Sequence, residues 1–264
     1  MRIYLRYLLA FFIVVPLAVL TLAQDVPQKG LRDVPNAIRL APKATTSKET
    51  IDVSCWNRHN ALTDSRLVQS PVLISPGGLY RAYVEVQAIA FRPKNIGTYV
   101  GPLCENTSRL FVASSFDNAF HVVYSQTPDM SSGNSLKIID WSADGERLVV
   151  ERDQWVYESD DGAYTDFIVF DPHSASLAVP DLAKILASRF GKGCWSDNSI
   201  IGFTRGGQVV IALDPFSNVV ALMNGAESCV KHRTLVALGS DHELSVLPRT
   251  YKLVHFGRFL DGRL

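Results

Sequence analysis

No charge of either sign dominates this chain: 26 Lys and Arg stand against 26 Asp and Glu. That balance gives nucleic acid or an anionic lipid surface no electrostatic footing. There is no His-Glu-x-x-His pair, no Gly-x-Ser-x-Gly elbow, no Walker loop and no Gly-x-Gly-x-x-Gly turn. Zincin, serine-hydrolase, P-loop and dinucleotide chemistry each lose their usual signature. Cys-x-x-Cys is also missing, which argues against a paired-thiolate zinc site. Only one apolar run is long, Leu8 to Leu22, so no second segment approaches the roughly 20 residues that span a bilayer.

The run that is present sits behind Arg2 and Arg6 and ends at Thr21-Leu22-Ala23, with polar Gln24 following. A basic n-region, a short apolar stretch and small residues at its end make residues 1–23 a secretory signal peptide. Export to the periplasm or the cell exterior is the expected localisation. The membrane is a partner only if this leader stays uncleaved. Losing Arg2 and Arg6 with it leaves the balance two charges negative. Residues 24–50, broken by Pro27, Pro35 and Pro42, read as a flexible linker, and residues 51–264 as one folded domain.

Four cysteines, Cys55, Cys104, Cys194 and Cys229, lie beyond the leader. In an exported chain an even count favours disulfides, and four cysteines allow three connectivities. Pairing Cys55 with Cys104 and Cys194 with Cys229 closes one local loop in each half of the chain. Buried free thiols are the competing reading.

Past Ile51 the pattern is β nearly throughout. Arg81 to Val86 alternates with period two, and Arg109 to Ala113 and Phe120 to Tyr124 are β-rich. The order repeats through Leu136 to Asp140, Arg147 to Arg152 and Asp166 to Phe170. A third unit holds Ile200 to Thr204, a turn at Gly206-Gly207, and Val209 to Leu213. A weaker fourth runs through Thr234 to Leu238 and Leu244 to Leu247. Asp181 to Phe190 alone has helical spacing, with Asp181 near its start and Gly191 past its end, and reads as a short insertion helix.

The units share a phrase: Ser75-Pro76-Gly77-Gly78-Leu79-Tyr80, then Trp141-Ser142-Ala143-Asp144-Gly145-Glu146, then a degenerate Trp195-Ser196-Asp197-Asn198. Each Ser-to-Gly stretch is a turn, with Asp bonding its own backbone and Gly supplying a positive φ. Ser75, Gly78, Ser142, Asp144 and Gly145 are thus the repeat-turn residues. Ile139 to Val150 resembles the W-S-P-D-G-K-x-I-A-F phrase of TolB-type, WD40-like β-propeller repeats. Phe170-Asp171-Pro172 and Leu213-Asp214-Pro215 resemble the acidic ends of their following strands. The resemblance implies an all-β fold, a small or incomplete propeller of about four blade-like units, with a β-sandwich as the alternative. It implies interaction surfaces at the blade ends and names no ligand.

Candidate chemistry is sparse. Asp140-x-Ser142-x-Asp144-Gly145 with Glu151 has EF-hand spacing, but strand-like flanks would carry Glu151 away from the turn. Glu158, Asp160, Asp161 and Asp166 cluster around Gly162, either a weak Ca²⁺ site or a solvated hairpin turn, and the turn is the preferred reading. No other cofactor is suggested. Trp56, Trp141 and Trp195 read as core residues, whereas Trp155, in Asp153-Gln154-Trp155, is the expected exposed binding aromatic. Asn106-Thr107-Ser108 is a glycosylation sequon. The function expected is an exported, non-catalytic binding or scaffold protein that recognises a protein, peptide or glycan. A hydrolase or lyase using Asp140, Asp144, Asp160, Asp161 and His121 at a channel mouth is the alternative.

Overall fold

Three short turns of the same construction organise the molecule. In the first, Ser75 Oγ accepts from Tyr80 N at 3.1 Å while Gly78 N donates to Ser75 O at 2.9 Å. In the second, Ser142 Oγ accepts from Arg147 N at 2.9 Å and Gly145 N donates to Ser142 O at 2.9 Å. The third is Thr204-Arg205-Gly206-Gly207, where Thr204 Oγ1 accepts from Gln208 N at 3.1 Å and Gly207 N donates to Thr204 O at 2.9 Å. Gly78, Gly145 and Gly207 have φ of 71°, 75° and 78°, a backbone region that side chains with a Cβ resist. Each hydroxyl replaces a backbone partner inside the turn, which is why Ser or Thr leads all three.

The computed structural model describes residues 45–46, 65–91, 103–117, 119–127, 132–156, 163–218, 222–223 and 225–260. Each turn joins the first two strands of an antiparallel meander. The first sheet contains β1 (Thr45–Thr46), β2 (Ser65–Gln69), β3 (Leu73–Ile74), β4 (Tyr80–Phe91), β5 (Leu103–Ser114) and β6 (His121–Gln126). β2 and β3 flank β4 as one interrupted inner strand. The break falls at Pro71, which has no N–H, and Ser70 Oγ accepts from Val84 N at 3.0 Å. The second sheet is β7 (Ser132–Trp141), β8 (Leu148–Val156), β9 (Ala163–Asp171) and β10 (Ser176–Ala178). The third is β11 (Cys194–Phe203), β12 (Val209–Pro215), β14 (Thr234–Leu238) and β15 (Leu244–Val246), with β13 (Glu227–Ser228) parallel to the start of β11.

The fold is all-β, with one nine-residue helix, α1 (Leu182–Phe190), among the described residues. Asp181 caps it by accepting from Lys184 N at 3.0 Å. The stretches Thr234 to Leu238 and Leu244 to Leu247, which read as a fourth unit, complete the third sheet instead. The described residues therefore hold three meanders. Trp195 to Asn198 is not the third turn but the interior of β11, because Trp-Ser-Asp-Asn imitates the phrase while lacking its glycine. Residues 1–44, Cys55 and Trp56 lie outside the described residues, as do Glu158, Asp160, Asp161 and Gly162. Of the expected linker, only Thr45–Thr46 is described, and it pairs with Val68–Gln69 of β2.

The sheets stack face to face in chain order. Val84, Val86, Leu110 and Val112 of the first meet Leu136, Trp141, Leu148 and Ile168 of the second. The opposite face of the second, with Val149 and Phe167, meets α1 and Ile200, Phe203, Ile211 and Leu213 of the third. Burial on both faces explains why β7 is almost continuously buried while the outer strands β6 and β10 are largely exposed.

Where the inner strands converge, the C-terminal segment crosses all three. β16 (Arg258–Phe259) pairs with β3, and Leu260 N donates to Val72 O at 2.9 Å. Asp140, on β7, accepts from Phe256 N at 3.2 Å and Gly257 N at 2.8 Å. Leu253 lies beside Gly202 of β11. Phe256 packs on the core between sheets two and three, and Phe259 on the core between one and two. Register shifts between Ile138 and Asp140, and between Ile200 and Gly202, set equivalent bulges in β7 and β11, directly before the turns.

Candidate binding site

The outer face of the third sheet carries the most exposed tryptophan among the described residues. Ile200, Ile211 and Leu213 point into the core against the second sheet. Strand alternation leaves Trp195 and Asp197 of β11, Asp214 of β12 and Phe216 just past its end on the opposite face. Trp195 is 54 % exposed and stacks on Phe216, ring centres 5.9 Å apart at 28°. Asp197 and Asp214 stand directly across from each other in the ladder. Arg233, one residue before β14, donates from Nη1 to Asp214 Oδ2 at 2.8 Å.

Covalent chemistry holds this face. Cys194 and Cys229 form a disulfide spanning 35 residues, with Cα atoms 4.8 Å apart. Cys229 N donates to Trp195 O at 2.8 Å, while Ser228 Oγ accepts from Phe216 N at 3.0 Å and donates to Val230 O at 2.7 Å. The cross-link thus fixes the backbone of both aromatic residues. A disulfide here fits an oxidising compartment. Of the other expected pair, Cys55 lies outside the described residues, and only the backbone of Cys104, in β5, is described.

A second aromatic group lies on the outer face of the first sheet. Tyr83 and Phe111 oppose each other across β4 and β5, ring centres 4.7 Å apart and nearly parallel at 3°. Phe120 meets Tyr83 edge-on at 4.9 Å, with the Arg81 guanidinium 5.5 Å from its ring centre. Burial, and then the charge of Glu85, raise the Tyr83 phenol above its ordinary value. Nearby in the chain, Phe116 is 92 % exposed.

Of the residues singled out for catalysis, the three that are described, Asp140, Asp144 and His121, are occupied separately. Asp140 is 1 % exposed and also accepts from Trp141 N at 2.8 Å, with His255 Nδ1 at 3.3 Å. Burial raises its carboxyl despite those bonds. Asp144 accepts from the Ser142 hydroxyl at 2.5 Å and from Glu146 N at 3.0 Å, and these bonds lower its carboxyl. His121, on the outer strand β6, pairs with Asp117 at 2.7 Å. Glu151, buried on β8, accepts from Ile200 N at 2.7 Å and pairs with Lys137 at 3.4 Å. The EF-hand spacing therefore sends Asp140, Asp144 and Glu151 to different partners. Asp166 is held by Arg152, which reaches it through Nε and Nη2 and also donates to Tyr124 Oη at 3.1 Å.

Two expectations are corrected by where side chains lie. Trp155 is half-buried, its indole against the backbone of Gly133, where a Cβ would sit 2.2 Å from the ring. Trp195 is the exposed indole instead, because only alternation measured from the buried Ile200 reveals its face. Asn106 of the sequon is 1 % exposed in β5, out of reach of glycosylation. Sequence reasoning missed Asp197, Asp214, Phe216 and Arg233. The signal was a Trp-x-Asp on one strand register-matched to Asp-x-Phe on the next, which needs the pairing to be known.

Comparison with known proteins finds no match: no family model, curated protein or solved structure matches this chain. Among the described residues no helix is long and apolar enough to cross a membrane.

Proposed function

We propose that this chain is an exported, non-catalytic binding protein of the TolB-type propeller-repeat class, presenting the outer faces of its terminal sheets to a partner. The observation that carries the reading is the solvent-exposed, stacked Trp195–Phe216 pair, braced by the Cys194–Cys229 disulfide. Large aromatic side chains left in water are a cost unless something covers them, and Trp is enriched where recognition energy concentrates. The disulfide supports an oxidising destination, and the apolar run behind Arg2 and Arg6 supports export as the route there.

The hydrolase reading draws less support. Its central acid, Asp140, spends its carboxylate on three backbone N–H groups of its own chain. The test is equilibrium binding of the full chain to a panel of soluble peptides and oligosaccharides, with product analysis of each mixture. Saturable binding that leaves the ligand intact supports the proposal; cleavage of the bound ligand overturns it.

A further inference from the structure

Two carboxylates directly opposite on neighbouring strands repel each other, and sheets ordinarily avoid the arrangement. Asp197 and Asp214 keep it, and the Arg233 contact reaches only Asp214. A local rule broken without full compensation marks a position retained for something other than stability. Two residues back along β11, on the same face, lies the exposed Trp195 indole. Acids, guanidinium and ring together form a mixed polar row bordering a flat apolar shelf.

We propose that this face is a carbohydrate-binding subsite for a neutral, polyhydroxylated sugar ring, a refinement that rests on the binding reading above. The indole face turned away from Phe216 carries negative π density, which attracts the slightly positive C–H face of a pyranose. Sugar hydroxyls both donate and accept, so they need both kinds of partner within reach. Asp197 and Asp214 accept, and Arg233, 58 % exposed at its side chain, donates. A cationic ligand fits less well on geometry, since the two rings lie 28° apart as a stacked shelf rather than as the walls of a cage. Phe216 and the disulfide hold the indole still, so little ordering is left to accompany binding.

The test titrates the full chain with cello-, malto- and chito-hexaose, by calorimetry and by the shift of the Trp195 indole N–H resonance. At least one hexasaccharide binds saturably and intact. Trp195→Ala weakens it at least tenfold, Asp197→Asn and Asp214→Asn each weaken it severalfold, and Trp155→Phe leaves it unchanged. Trp195→Phe retains part of the affinity, and the wild-type resonance shift stands even if the alanine variant fails to fold. Absence of binding at about 10 mM sugar, or binding indifferent to Trp195→Ala, overturns the subsite. A basic peptide bound through Trp195 in place of sugar overturns the carbohydrate assignment and leaves the binding reading standing. Hydrolysis of the sugar overturns the non-catalytic reading and leaves the subsite standing.

Discussion

Asp140 and Gly257 meet in a 2.8 Å hydrogen bond that crosses 117 residues of chain. The bond closes the molecule at the convergence of its inner strands, where the C-terminal segment touches Leu73, Asp140 and Gly202 in turn. Gly257 lets the chain pass close there, since a Cβ would come within 2.9 Å of Leu73 Cδ1 and 3.1 Å of Asp140 and would make the Leu73 side chain shift.

Removing the clasp should be costly. Asp140→Ala strands three backbone N–H groups that bond to a buried charge, and we expect a loss of about 2–4 kcal/mol in denaturant unfolding. Amide exchange at Phe256 and Gly257 should accelerate beyond that of the sheet amides. A change below about 0.5 kcal/mol, the usual range of an ordinary surface substitution, would refute the anchoring role.

Stability should not fall on mild acidification. Burial raises the carboxyls of Asp140, Glu151 and Asp153, so the folded chain holds these protons more tightly than the unfolded chain does. Their charged forms oppose folding at neutral pH, and that opposition fades as pH drops through the raised range. Asp144 behaves oppositely: its lowered carboxyl contributes above the unfolded value and loses the contribution as pH falls through the folded one. Unfolding free energy should therefore hold or rise from about pH 7 to 5 and decline below about pH 4. Asp153→Asn should flatten the rise, and a steady decline over the upper interval would contradict the assignment.

The turn residues give a third test. Gly145→Ala places a Cβ at a φ of 75°, and Asp144→Ala removes the acceptor for the Ser142 hydroxyl and Glu146 N. Each should lower stability by about 0.5–2 kcal/mol without altering the far-ultraviolet dichroism. Equal stability of the wild type and both variants would show that the turn is incidental.

The disulfide should matter for both fold and binding face. Opening a 35-residue span should cost about 3–4 kcal/mol by loop entropy, measured with Cys194→Ser. Trp195 emission should shift to the red as its backbone loosens. Labelling of Cys229 by a thiol reagent in the unreduced native protein would disprove the bond.

The buried pair Arg152–Asp166 separates two meanings of stabilisation. The bond to Asp166 holds the guanidinium above its ordinary range, so it stays charged at all working pH. Asp166→Leu alone leaves that charge uncompensated and should cost about 3–5 kcal/mol, whereas Arg152→Met with Asp166→Leu should come close to wild type. A double variant as unstable as the single one would show that the pair contributes net stability.

How far the sequence reached depended on how local each instruction was. Ser142-Ala143-Asp144-Gly145 announces its turn because the accepting hydroxyl, the accepting carboxylate and the positive φ all lie within four residues. Thr204-Arg205-Gly206-Gly207 builds the same turn with a different hydroxyl, and Trp195-Ser196-Asp197-Asn198 spells the phrase without building it. Spelling alone could not rank them, because the decisive hydrogen bond joins Thr204 to Gln208 across the turn. The helix from Leu182 was legible for the same local reason, since spacing, cap and terminating glycine are contiguous.

Residue order by itself settled the β character, the Ser75 and Ser142 turns and helix α1, since backbone preference and side-chain alternation act over a few neighbours. Tertiary structure alone decided that the last two strand pairs belong to one sheet, that Asp140 serves the C-terminus, and that Trp195 rather than Trp155 meets solvent, whereas the Cys194–Cys229 bond is the pairing the sequence already favoured. Those outcomes turn on which faces of distant strands find each other. A strand's two faces look alike in sequence until a neighbouring sheet covers one of them.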